Sequence, residues 1–268
     1  MATQRIGIFD SGLGGLTVFK KLKTEFPRQS FIYLGDLAYL PYGDKSNQSI
    51  IERSQRITDF FIKHNVKAII VACNSASSVA LETLKSLYEI PIIGVINSSI
   101  SLAITRTTTN IIGVIGTQAT ISSKSYNKAL IASSTKKSYD LISAACPLFV
   151  PLVEEGWENT KITHAVAKKY CENFHNYNID TMILGCTHYP ILINTLKKIF
   201  SEQGYKNLSF IECGESVATR IKKLSFLNHF ETDEDEDLFF VTDTSHKFQE
   251  LANKFLGYKI SKINVITL

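Results

Sequence analysis

The chain has 268 residues, 44% of them hydrophobic and 20% charged, with a formal net charge of +4; that length and composition sustain one large or two smaller globular cores. So weak a positive excess, with no basic stripe, excludes nucleic acid as an expected partner. No charged segment precedes a long apolar one, and no apolar run approaches the roughly 20 residues of a membrane helix, so neither a signal peptide nor a membrane partner is expected, and the expected location is cytoplasmic.

Short, nearly continuous apolar runs punctuate the chain. They are Ile6–Phe9, Phe31–Gly35, Ala68–Cys73, Ile92–Ile96, Ile111–Gly116, Met182–Cys186, Leu208–Glu212 and Leu238–Asp243. Runs of this kind suit strands buried on both faces. Longer segments of helical period lie between them. In one, Ile50, Ile57, Phe60 and His64 fall near one face, leaving Glu52, Arg53 and Arg56 for solvent. Strand–helix alternation predicts an α/β fold with mainly parallel sheets and right-handed crossovers. The acidic stretch Glu231–Asp237 interrupts the pattern and reads as a solvated surface loop.

After the first strand comes DSGLGGL, Asp10–Leu16. It reads either as a glycine loop whose N–H groups approach an anion, with Asp10 in a cleft, or as a tight strand–helix turn. GxGG is not the GxGxxG fingerprint, so no dinucleotide site is expected. The next strand ends in GDLAYLPYG, Gly35–Gly43, a composition suited to a shaped loop over a site.

Two segments echo each other. AIIVACNSAS (68–77) and TMILGCTHYP (181–190) each run from an apolar strand through a small residue to a cysteine and a polar turn. Asn74 or Ser75 suits an N-cap in the first, and Pro190 suits a first helical turn in the second. A weaker pair, RIGIFDSG (5–12) and IIGVIGTQ (111–118), aligns Gly7 with Gly113. Chance similarity between buried strands is one reading; the other, expected here, is two similar α/β units, pseudo-twofold related, meeting at a cleft where strand carboxyl ends present Cys73 and Cys186. The expected partition is 1–97 plus 207–268 for the first unit and 98–206 for the second.

The five cysteines, Cys73, Cys146, Cys171, Cys186 and Cys213, are odd in number and form no CxxC pair. No disulfide framework or metal site is expected. A free cysteine is usually inert filler, and Cys146, Cys171 and Cys213 keep that reading. Two thiols facing one cleft are different. Moving a proton from one face of a carbon to the other calls for two acid–base groups, and a thiol's reference pKa of about 8.5 lies near enough to neutrality to serve. A place just before a helix N-terminus is expected to lower it further. Backbone N–H groups at both turns suit a substrate carboxylate, and His188 assists Cys186, polarises the substrate or, as a histidine near a strand end more often does, serves only the structure.

These motifs, with YLGDLAYLPYGDKS, CPLFVPLVEEG, FIECGESVA and the tail FFVTDTSHKF, closely resemble the glutamate racemases over essentially the whole chain. The resemblance implies two α/β domains with the active site between them, glutamate as substrate, no cofactor or metal, a homodimer, and D-glutamate supplied to peptidoglycan synthesis. It implies Cys73 and Cys186 as catalytic bases, with Cys73 acting on the D-isomer and Cys186 on the L-isomer. Asp10 and His188 correspond to their assistants, and Glu154, with Glu155 adjacent, to an acidic residue near the site. Asp10–Ser11, Tyr42–Gly43, Asn74–Ser75 and Thr187–His188 match substrate-binding pairs, and Asp36 a further cleft carboxylate. Glu212 stands where relatives usually carry aspartate. Some relatives have an N-terminal extension tied to activation by a cell-wall precursor; with five residues before the first strand, that regulation is not expected here. An aspartate or hydantoin racemase on the same fold, and an inactive amino-acid-binding protein, are the competing readings.

Overall fold

A computed structural model describes residues 5–134, 137–224, 236–244 and 248–268. Among the described residues, ten strands form two wholly parallel sheets. The strands are β1 (Ile6–Asp10), β2 (Phe31–Gly35), β3 (Ala68–Val71), β4 (Ile92–Gly94), β5 (Ile111–Gly116), β6 (Asp140–Ala145), β7 (Thr181–Gly185), β8 (Ser209–Ile211), β9 (Leu238–Val241) and β10 (Asn264–Val265). One sheet has the order β10-β9-β2-β1-β3-β4, the other β6-β5-β7-β8. The second order repeats β2-β1-β3-β4 of the first. The echoed segments therefore occupy corresponding strands: β1 with β5, and β3 with β7.

Every residue of β1, β2, β3 and β7 is buried, as sheets covered on both faces demand. All eight expected strands are present. β6 was not anticipated: it is an edge strand whose DLISAA sequence leaves Asp140 and Ser143 exposed and so lacks a continuous apolar run. β8 pairs with β7, so residues 209–211 belong to the second sheet although they were expected in the first unit.

The helix Asn47–Lys63 starts at Ser46, whose side chain accepts from the Ser49 N–H at 3.2 Å. Its inner face carries Ile50, Ile57 and Phe61 but also Arg53, while Arg56, Glu52 and His64 are exposed. The assignments of Arg53 to solvent and of His64 to the buried face are thus corrected. Arg53 turns inward because buried Asp36 pairs with it at 2.6 Å, and Phe61, not Phe60, completes the apolar stripe. Of the acidic stretch, residues 231–235 lie outside the described residues. Glu236 is exposed, but Asp237 is tied in, accepting from the Phe31 N–H at 2.9 Å and pairing with Lys23 at 3.0 Å. Of the tail motif, residues 245–247 are likewise outside the described residues.

The helices Val95–Arg106 and Cys213–Lys222 pack on each other between the sheets. One apolar core runs from Ile8 and Leu16 through Ile100 and Ala103 to Ile112 and Leu184. A second lies on the other face of the six-stranded sheet, around Phe9, Ile32, Ile57 and Phe61. Among the described residues no helix is long and apolar enough to cross a membrane.

Candidate active site

Parallel pairing aligns the carboxyl ends of adjacent strands. Phe9 of β1 faces Val71 of β3, which sets Asp10 and Ser11 beside Cys73. Cys73 is itself the N-cap residue of the short helix Asn74–Val79, in place of the expected Asn74 or Ser75. Its thiol donates to Ser11 Oγ at 3.6 Å. In the second sheet, Gly116 of β5 faces Gly185 of β7, so Cys186 emerges beside Thr117. No α-helix begins there. A 3₁₀ turn, Tyr189–Leu192, intervenes before the helix Ile193–Glu202, with Pro190 in its first turn.

Both thiols are buried, and burial overturns the expected lowering of their pKa values. It pushes Cys73 up to about 11; the Asp10 carboxylate pushes the same way, while the Ala76 N–H and the Ser11 hydroxyl and N–H pull it down. Cys186 is pushed well above its ordinary value by burial, against the His188 N–H, with the charges of Asp10, Cys73 and Cys213 adding to the rise. Dipoles at a strand end do favour the thiolate, but here desolvation is the larger effect.

His188 stands beside Cys186, with Nδ1 4.0 Å from Sγ and Nε2 3.0 Å from Glu154 Oε1. A carboxylate only accepts, so Nε2 carries the hydrogen, and in the neutral imidazole Nδ1 then faces the thiol as an acceptor. The Phe255 ring packs edge-on against the imidazole, 5.4 Å between centroids. Glu154 lines the cleft, whereas Glu155 is exposed and not part of its lining.

Asp10 lies deeper than expected, fully buried at 0% exposure and outside the cleft lining. It accepts from the Gly12 N–H at 3.0 Å and from the Thr187 hydroxyl at 3.2 Å. Burial raises its pKa, opposed by the His188 charge, the Gly12 and Gly15 N–H groups and Thr187. The glycine loop thus serves its own aspartate: the Gly12 N–H is taken by Asp10 rather than by a bound anion. The loop also lets the two units approach. A Cβ on Gly14 would meet Thr187 Oγ1 at 2.3 Å and His188 Nδ1 at 2.5 Å, so only glycine fits.

The loop after β2 is anchored by Asp36. This buried carboxylate pairs with Arg53 and accepts from the hydroxyls of Tyr42 at 2.6 Å and Thr242 at 2.8 Å. Burial, with the Asp36 charge, keeps the Tyr42 phenol protonated. Tyr42 reaches the cleft with its hydroxyl already committed, and Asp36 acts beneath the site rather than within it.

The cleft is a cavity of about 410 Å³. Cys73 and Cys186 both line it, as do Ser11, Asn74, Ser75, Tyr42 and Gly43, and Thr187, His188 and Glu154. Thr117, Gln118 and Pro151 also line it and were not foreseen. The aligned glycines of β1 and β5 equate Ser11 with Thr117, so the internal echo already held that signal. Among the described residues no group of three or more His, Cys, Asp or Glu side chains is arranged to hold a metal ion.

A family model described as Asp/Glu/Hydantoin racemase matches residues 10–217. The chain is 43% identical to glutamate racemase of Sulfurihydrogenibium sp. over 265 residues, 98% of each chain. It is 44% identical to that of Persephonella marina, covering 95% of this chain and 94% of the relative. Among solved structures it is similar to glutamate racemase of Francisella tularensis in complex with D-glutamate, with TM-score 0.89, 35% identity, and 100% and 98% coverage. Similarity to the Bacillus anthracis isoform RacE1 has TM-score 0.91, 34% identity, and 100% and 99% coverage. A strand-end cysteine from each sheet in one shared cleft, with likeness along the full length, makes this chain a member of the Asp/Glu/Hydantoin racemase family, an amino-acid racemase.

Proposed function

We propose that the chain interconverts L- and D-glutamate by proton transfer at the α-carbon between Cys73 and Cys186. One observation carries the reading: two thiols from corresponding strands of two sheets line a single cavity sized for a small molecule. The names of the relatives, and the D-glutamate bound to the Francisella protein, support glutamate as the substrate.

In each turnover a thiolate removes the α-hydrogen as a proton and becomes a thiol. The opposite thiol donates a proton to the other face of the carbanion and becomes a thiolate. By family resemblance Cys73 deprotonates D-glutamate and Cys186 L-glutamate. The raised thiol pKa values give the substrate a part in activation. An α-ammonium group entering the cleft favours the nearby thiolate, so the base forms where the substrate is. His188, oriented by Glu154, takes and returns the proton of Cys186. Backbone N–H groups of the Ser11, Gly43, Ser75 and Thr187 turns bind the carboxylates and stabilise charge developing at the reacting centre. Tyr42 contributes through its backbone, since its hydroxyl holds Asp36. No cofactor is invoked.

The D-glutamate formed supplies peptidoglycan synthesis in the cytoplasm, from a homodimeric enzyme. The test is α-hydrogen exchange in deuterated water under reducing conditions, with glutamate and aspartate compared. Deuterium entering glutamate of either hand, with racemisation and far faster than for aspartate, is the expected result. No exchange into glutamate removes the assignment.

A further inference from the structure

Behind the cleft a buried polar ring crosses between the two units. Tyr126, in the helix Ser125–Ser133, donates from its hydroxyl to Asn74 Oδ1 at 2.8 Å. Asn74 Nδ2 donates to Cys213 Sγ at 3.3 Å. The Cys213 thiol in turn donates to the Leu184 carbonyl at 3.4 Å, two residues before Cys186. Ser216 donates to the Cys213 carbonyl at 2.8 Å and touches Ser99 at 3.0 Å. All five side chains are buried.

The hydrogen bonds have only one consistent direction. Cys213 has a single hydrogen, and it points at a carbonyl, so toward Asn74 the sulfur can only accept. Asn74 must therefore present Nδ2 to Cys213 and Oδ1 to Tyr126, whose hydroxyl must donate. One N–H of Asn74 then remains. It has no protein partner among the described residues, and Asn74 lines the cleft directly after Cys73.

We propose that Tyr126 and Cys213 are positioning residues that lock the Asn74 amide, so that its remaining N–H faces the substrate. The inference rests on the assignment of glutamate to this cleft and adds how one of its donors is aimed. It gives Cys213 a purpose that its burial among apolar neighbours conceals. It also makes an amide from the first unit depend on two side chains from beyond Arg106, so donor placement follows the relative position of the units.

Steady-state kinetics on the full chain test this. Asn74→Ala is expected to raise KM for both enantiomers about tenfold, the loss of one hydrogen bond to a charged group. Cys213→Ala and the isosteric Tyr126→Phe should each approach that KM. Cys213→Ser, whose hydroxyl can donate to Leu184 and accept from Asn74, should return to within about twofold of wild type. In Asn74→Ala/Cys213→Ala the KM should be no higher than in Asn74→Ala alone, because the cysteine acts only through the amide. A general loosening of the fold would instead give additive losses and no rescue by serine. Additive KM losses, failure of Cys213→Ser to rescue, or an unmoved KM in Asn74→Ala overturns this proposal alone. A wild-type chain that racemises no glutamate removes the functional assignment and the proposal together.

Discussion

Cys73 and Cys186 occupy corresponding strand ends in two sheets of the same order, yet their surroundings differ in kind. Cys73 is flanked by fixed dipoles: the start of a helix, the Ser11 hydroxyl and backbone N–H groups. Cys186 has no α-helix at its turn but has a titratable neighbour, His188, backed by Glu154. Under the proposed two-thiol scheme, the difference teaches that one requirement, a thiol able to give and take a proton, can be met by stationary partial charges on one side and by a movable proton on the other. Burial raises both thiols.

The sharpest way to break the comparison is to remove each sulfur in turn. Cys73→Ser and Cys186→Ser should each lower kcat/KM by about 10³-fold or more, at the upper end for loss of an acid–base group. L- and D-glutamate are mirror images with an equilibrium constant of unity, so each variant must lose equally in both directions. Substantial turnover by both variants, measured by circular dichroism, would refute the two-thiol scheme.

His188→Asn comes next, with an expected loss of about 10²-fold. Here too kcat/KM must fall equally in both directions, so direction has to be read elsewhere. The α-deuterium isotope effect should grow for L-glutamate, where Cys186 is the proposed base, and stay near its wild-type value for D-glutamate. Equal growth for both enantiomers would show that His188 does not belong to one side alone.

Raised thiol pKa values predict a third, smaller effect. With Cys73 pushed up to about 11 and Cys186 raised as well, the unliganded pair is expected to be protonated at neutral pH. One proton must leave before reaction, and the titration belongs to the pair. Between pH 7 and 9, kcat/KM should climb about tenfold per pH unit, and kcat less steeply, because bound substrate carries its own positive charge. A kcat/KM that is flat over this range would mean that a thiolate already exists in the free enzyme.

Much of this arrangement was legible in the residues and some was not, for physical reasons. Strands buried on both faces announce themselves as apolar runs, and both cysteine turns could be found because their motifs repeat. Edge strand β6 could not, since a half-exposed strand has no such run. Arg53 looked like a solvated charge because its partner, Asp36, is 17 positions away; only folding brings them together. The direction of the thiol shifts was misjudged because helix-end dipoles follow from local order, whereas desolvation depends on what the other unit covers. The polar contacts of Cys213 were hidden for the same reason, its partners Asn74 and Leu184 lying 139 and 29 residues away.

Asp10 is the charge that both thiols share, since it opposes ionisation of each. Its own carboxyl is raised by burial. A group whose folded pKa exceeds its unfolded one favours the fold below the unfolded value and loses that contribution as pH rises through the folded value. Asp10→Asn removes the ionisation and leaves one amide oxygen for the Gly12 N–H and an N–H for the Thr187 hydroxyl. The variant should therefore match wild type in thermal stability near pH 3.5 and gain on it at higher pH, by about 1 kcal/mol or roughly 3 °C in Tm at pH 7. Although losing the charge eases ionisation of both thiols, racemisation should be slower if Asp10 is the assistant that the family resemblance implies. The comparison of the two sides sharpens here as well. If Asp10 serves Cys73 in particular, the isotope effect should rise for D-glutamate, the mirror of the His188 result. A variant less stable than wild type at pH 7 would mean that the hydrogen bonds of Asp10 outweigh the burial of its charge.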